Sequence, residues 1–153
     1  MDRFVSNYTK KVDGKGRVSV PPQFRTILQR SGDDQIYAQL SLETQSVIAG
    51  GASLLAQLEV RLEKMDPFSP EYDDWATHIY ADNHALKIDG DGRIILTDAI
   101  VEHAKIKGEV TFAGRGASFH LWQPEAFEEY MGGVRSVSYT HLRAHETGRQ
   151  SCA

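Results

Sequence analysis

Apolar positions along this chain change period several times. Gln35–Leu40 and Glu109–Gly114 are short runs rich in β-formers, and each is followed by a turn and a second such run, Ser46–Ala49 and Ser118–Trp122. Phe4–Val12 and Ala85–Ile88 also read as strands. Between these groups Leu54, Leu55, Leu58, Leu62 and Met65 fall at helical spacing and form one apolar stripe, which Pro67 ends. A second helix is predicted after Ser69-Pro70, carrying Tyr72, Trp75, Ala76 and Ile79, and a final one opens at Pro124 and includes Phe127 and Tyr130. These stripes read as packing surfaces.

The pattern is an internal repeat. Asp13-Gly-Lys-Gly-Arg17-Val-Ser-Val20 returns as Asp89-Gly-Asp-Gly-Arg93-Ile-Ile-Leu96, 76 residues on. A short helix follows each copy, one starting at Pro21 and one capped by Thr97 or Asp98. Each unit is strand, glycine turn, strand, short helix, strand, turn, strand. Four short strands cannot cover a core alone, so two units packed together account for the duplication.

The repeated element is Asp-Gly-x-Gly-Arg. Gly14, Gly16, Gly90 and Gly92 permit a tight turn, and Asp13 and Asp89 can hold it through backbone amides. Arg17 and Arg93 then stand in fixed places, where a guanidinium forks onto guanine edges or phosphate. The bland reading is a hairpin turn whose arginine pairs with its own aspartate. Two copies in the same context favour the functional one.

Charge sharpens this. The 153 residues carry a net −4, which alone argues against nucleic acid. Residues 1–25 nevertheless hold six basic against two acidic side chains, whereas 26–136 hold nine against eighteen. Such sorting can present a cationic surface on an acidic protein. A hydrophobic fraction of 41% is ordinary for a globular chain, and no stretch reaches membrane-span length. Met1–Val5 lacks a signal-peptide core, so a cytoplasmic location is expected. The single cysteine, Cys152, permits no internal disulfide.

Asp13-Gly-Lys-Gly-Arg17-Val-Ser-Val-Pro21 resembles the signature of the AbrB/SpoVT swapped-hairpin DNA-binding domains. The tandem copies, linking helical pair and Phe119-His-Leu-Trp122 resemble the MraZ family, over about residues 1–130. The resemblance implies a mainly β fold with short helices (α+β), a pseudo-twofold swapped-hairpin β-barrel built from both repeats. It divides the chain into a first repeat (7–52), linking helices (53–82), a second repeat (83–126) and a shortened C-terminal helix (127–136). It implies a nucleoid-associated regulator of a division and cell-wall gene cluster, binding repeated boxes in promoter double-stranded DNA as a ring-like homo-oligomer. Lys15, Arg17 and Arg93 carry over as DNA-binding positions, with Lys10 and Lys11 as further phosphate contacts. The sequence departs from the family pattern at Thr97, where proline is usual, and at Asp91, where the first copy has Lys15; Asp91 would either repel phosphate or brace Arg93. Residues 137–147 resemble the translation of a sequencing-library transposase adapter, so 137–153 is expected to be an artefactual tail that packs poorly.

Competing chemistry is thin. Read as a calcium loop, Asp89–Gly92 would put Lys87 first and Asp98 twelfth, and an ammonium opposes the cation. No Gly-Lys-Ser/Thr follows either glycine motif, which excludes a P-loop. His78, His84, His103 and His120 show no metal spacing with acidic partners, His103 reading as a helix end and His120 as outward on its strand. His141 and His145 are four apart but sit in the adapter-like tail. No catalytic residue, metal or cofactor is expected. The alternative class is an assembly or antitoxin-like partner protein on the same fold. The discriminating feature is whether Arg17 and Arg93 share one open face.

Overall fold

The predicted unit of strands and a short helix occurs twice. The computed structural model describes residues 2–137, in the order β1 (Asn7–Lys11), β2 (Arg17–Ser19), α1 (Pro22–Arg30), β3 (Gln35–Leu40), β4 (Val47–Gly50), α2 (Ala52–Glu63), α3 (Pro70–Ala76), β5 (Asn83–Lys87), β6 (Arg93–Ile95), α4 (Asp98–Ala104), β7 (Glu109–Gly114) and β8 (Phe119–Trp122). Helix α5 covers 124–137. Residues up to Gln123 make one compact unit, which holds both repeats and the linking helices, and Pro124 opens a second. Of the adapter-like tail only Val137 falls within the described residues; His141, His145 and Cys152 lie outside them.

Local chemistry sets the helix starts. Pro22 occupies the first turn of α1, where its fixed φ and missing N–H cost nothing. Thr97 Oγ1 accepts from the Ile100 amide at 3.3 Å and opens α4. Ser69 Oγ does the same for Tyr72 in α3, at 3.2 Å. Helix α3 runs on into a π-helical turn, Thr77–Ala81, which buries Ile79. Helix α2 starts just after Gly51, which has no side chain to cap it, and Asp33 from the first repeat does so, accepting from the Ala52 amide at 3.1 Å.

Six strands form one antiparallel sheet in the order β1-β7-β8-β4-β3-β5, and β2 pairs with β6 in a separate ribbon. The repeats are swapped: β1 of the first lies on β7 of the second, and β5 of the second on β3 of the first. The order is unchanged when the repeats are exchanged, so a pseudo-twofold axis runs through it. In the ribbon the equivalent residues Val18 and Ile94 face each other, and in the sheet Ile48 faces His120.

The expected closed barrel is not what forms. The sheet stays open, with β1 and β5 as its edges. The glycine turns carry β2 and β6 out of it, and with three residues each these strands satisfy only one another. The ribbon instead covers the core from the opposite side, burying Val18, Val20, Ile94 and Leu96 against the sheet.

That core is organised by equivalent positions filled unequally. Phe24 of α1 corresponds to Ile100 of α4, Ala38 to Phe112, Val47 to Phe119 and Ala49 to Leu121, all buried. Phe24 lies 5.1 Å from Phe4, 5.0 Å from Phe119 and 5.6 Å from Tyr8, ring centre to ring centre. Aromatic contacts at such spacing stabilise by about 0.5–1.5 kcal/mol each beyond area burial.

His120 corrects its expected outward placement. All four residues of β8 are buried, because this strand is central and covered on both faces. The ring is held between Ser46 Oγ at 3.2 Å from Nδ1 and Arg115 Nη1 at 2.7 Å from Nε2. Guanidinium can only donate, so Nε2 accepts and Nδ1 carries the proton. Burial, and secondarily the Arg115 charge, push its pKa down from 6.5 to about 4.

Candidate functional site

The two Asp-Gly-x-Gly-Arg elements fold alike because each aspartate organises its own turn. Asp13 Oδ1 accepts from the amides of Lys15 and Arg17, both at 2.9 Å, and the Gly16 amide donates to the Asp13 carbonyl at 3.0 Å. Asp89 accepts from Asp91 and Arg93, again at 2.9 Å, and Gly92 closes on the Asp89 carbonyl at 3.0 Å. The second glycine of each motif needs its freedom: Gly16 has φ 80° and Gly92 φ 77°. The first does not. Gly14 and Gly90 have no positive φ, and a Cβ on either would meet open space, which narrows the expectation that all four glycines serve the turn.

The turns also lock the repeats together. The Gly92 carbonyl accepts from the Val20 amide and the Gly16 carbonyl from the Leu96 amide, both at 2.9 Å, which extends the ribbon at each end. Arg17 faces Ile95 and Ser19 faces Arg93. Strand alternation turns Val18 and Ile94 into the core, so Arg17, Ser19, Arg93 and Ile95 share the outer face. The two arginines sit diagonally across it, their side chains 35% and 34% exposed.

Each arginine is held by carboxylates, and unequally. Arg17 Nε donates to Asp13 Oδ2 at 2.7 Å. Hydrogen bonds from the Arg17 backbone and side chain hold the Asp13 carboxyl down at about 2. Arg93 lies 3.5 Å from Asp89 Oδ2 through Nε and donates through Nη2 to Asp91 Oδ2 at 3.0 Å. Asp91 therefore braces Arg93. The acidic oxygens that could have addressed a cation face amides and guanidinium groups of their own loop.

The predicted basic positions are only partly brought together. Lys15 stands exposed at the tip of the first turn, where the second has Asp91. Lys10 and Lys11 lie on edge strand β1 opposite Val110 and Glu109, and alternation sends them to opposite faces. Arg25 of α1 was not singled out by the sequence: its guanidinium packs on Gly92 of the other repeat's turn. Its basic, helical context gave no sign of a partner so distant in sequence.

Elsewhere, Asp82 lies between two histidines, 3.3 Å from His84 Nε2 and 3.6 Å from His78 Nδ1, so both have an acidic neighbour that sequence spacing did not reveal. His103 ends α4 as expected and approaches the Thr44 carbonyl at 3.3 Å. Among the described residues no group of three or more His, Cys, Asp or Glu is arranged to hold a metal, and no helix is long and apolar enough to cross a membrane.

Most of this chain matches known proteins of one family. The family model for the MraZ protein, described as antitoxin-like, matches residues 79–150, a span running on through most of the adapter-like tail. A transcriptional regulator MraZ of Azorhizobium caulinodans is 40% identical over 135 residues, 88% of this chain and 86% of its own length. That of Beijerinckia indica is 38% identical over 136 residues, 89% and 83% of the two chains. That of Rickettsia akari is 34% identical over 139 residues, 91% and 93%. At this identity and coverage, with both Asp-Gly-x-Gly-Arg turns in place, the chain belongs to the MraZ family.

Proposed function

We propose that this chain is a transcriptional regulator that reads double-stranded DNA with the outer face of the β2–β6 ribbon. The observation that carries the reading is the placement of Arg17 and Arg93, from two copies of one motif, on a single outward face about a pseudo-twofold axis. It favours DNA reading over the assembly alternative, in which the arginines would be turned inward. A two-stranded ribbon fits the B-DNA major groove, which is about 12 Å wide. Asp13 holds Arg17 through Nε, which leaves the two terminal nitrogens able to fork onto guanine O6 and N7. Arg93 must first exchange its Asp91 contact, so the second half binds more weakly.

Lys15 supplies a phosphate contact at the loop tip. Lys10 and Lys11 supply others, though a duplex approaching from one side meets only one of the two. One ribbon offers few contacts, so tight binding comes from several subunits, in a ring-like homo-oligomer, on repeated promoter boxes of a division and cell-wall gene cluster. The protein acts in the cytoplasm, at the nucleoid, and performs no catalysis.

Binding to a promoter fragment with repeated boxes, against a scrambled fragment, over a salt series, tests this. The expected result is preference for the repeats, affinity falling with salt, and loss of preference in folded Arg17→Ala and Arg93→Ala, each by about 1–3 kcal/mol. Equal weak binding to both fragments, unchanged in the variants, would return the motifs to plain turns.

A further inference from the structure

We propose that Ile95 determines specificity by reading the 5-methyl group of a thymine next to the guanine taken by Arg17, an assignment that rests on the ribbon being the DNA-reading face. The outer face of the ribbon presents Arg17, Ser19, Arg93 and one aliphatic side chain, Ile95, which is 60% exposed. Packing does not explain it. Its neighbours Ile94 and Leu96 are buried at 1% and 4%, whereas Ile95 turns away from the core. The pseudo-equivalent position in the first repeat is Ser19, so the strand does not require a branched apolar residue there.

Its position is fixed. Ile95 stands directly opposite Arg17, and its Cγ2 lies 3.9 Å from where a Cβ on Gly16 would be, alongside the first turn. A β-branched side chain has few rotamers, so the methyl groups stay beside the arginine. Directly opposed side chains in an antiparallel pair start about 5 Å apart, which spans one to two base steps of about 3.4 Å. In the major groove thymine alone among the four bases offers a methyl group, and apolar side chains recognise it. Ser19 beside Arg93 has no such preference, which gives the two halves different neighbours and the ribbon a direction.

The test uses a duplex selected by the wild-type chain from a randomised pool, with each thymine replaced in turn by uracil. This keeps every hydrogen-bonding group and removes only the methyl. One replacement is expected to weaken wild-type binding about fourfold, the effect of one buried methyl-sized group. Ile95→Ala should bind the thymine duplex about fourfold more weakly and be indifferent to that replacement. If no uracil position matters, or if the loss persists in Ile95→Ala, the assignment is wrong. Arg17→Ala separates the two levels. Should it fail to bind while no uracil replacement weakens the wild type, or while the uracil loss persists in Ile95→Ala, only the Ile95 assignment falls. Should it bind like the wild type, or should no duplex be selected, the ribbon reading itself falls.

Discussion

Acidification should weaken this fold through one residue. His120 is 7% exposed, accepts from Arg115 at Nε2, and has its pKa held at about 4 instead of 6.5. The unfolded chain therefore takes up this proton first as pH falls. The stabilisation is fully present above 6.5 and is lost progressively as pH drops toward 4. At pH 5 the unfolded imidazole is protonated and the folded one is not, so the loss relative to pH 7.5 is about 2 kcal/mol, at about 1.36 kcal/mol per pH unit below 6.5. The Asp13 carboxyl, at about 2, does not titrate in this window. Denaturant unfolding at pH 7.5 and pH 5 of the wild type and His120→Gln, which does not ionise, isolates the term. The wild type should lose about 2 kcal/mol more than the variant. Arg115→Met should narrow that gap by removing the secondary, coulombic cause. Parallel pH dependence in wild type and His120→Gln would refute the account.

Other substitutions probe the remaining layers. Gly92→Ala forces a Cβ onto a residue with φ 77° and into the Arg25 guanidinium, so thermal unfolding should show a loss of about 1–3 kcal/mol, whereas Gly90→Ala, with open space and no positive φ, should stay within about 0.5 kcal/mol. Phe24→Ala removes the hub of the aromatic cluster and should cost about 3–5 kcal/mol in denaturant titration, without changing the ribbon residues. Asp91→Lys frees Arg93 and copies the first turn. DNA affinity at low salt should rise, and the salt slope should steepen by about 1; an unchanged slope would show that the second turn does not meet phosphate.

Much of the fold was legible because its signals are local. Strands β3 and β7 were placed to the residue, since each is a run of β-formers bounded by turns. The Pro21-Pro22 pair and the Thr97-Asp98 pair announced their helices, which begin one residue later than Pro21 and directly after Thr97. Non-local pairings left no such trace in the residues. The family resemblance implied swapped hairpins, but that β1 lies on β7 came only with the structure, because nothing in Asn7–Lys11 names a partner some hundred residues away. His120 was misplaced because alternation distinguishes inside from outside only where one face meets water, and β8 is covered on both. The site was legible as a motif but not as a geometry. Sequence paired Arg17 with Arg93 by repetition, yet the alternation that separates Lys10 from Lys11, and the seat of Arg25 on Gly92, depend on the assembled ribbon.

The unequal filling of equivalent core positions has a consequence for how such a chain can evolve. A duplicated unit begins able to recognise its own twin. Here Phe24 meets Phe112 and Phe119 across the axis, where the first repeat itself offers only Ala38 and Val47. Two first repeats joined to each other would set each Phe24 against Ala38 and Val47 in place of Phe112 and Phe119, leaving the core underfilled around both rings. Each half has become the mould of the other. Residues 1–51 expressed alone should therefore fail to give a cooperatively melting dimer, and the two turns inherit a permanently distinguishable left and right.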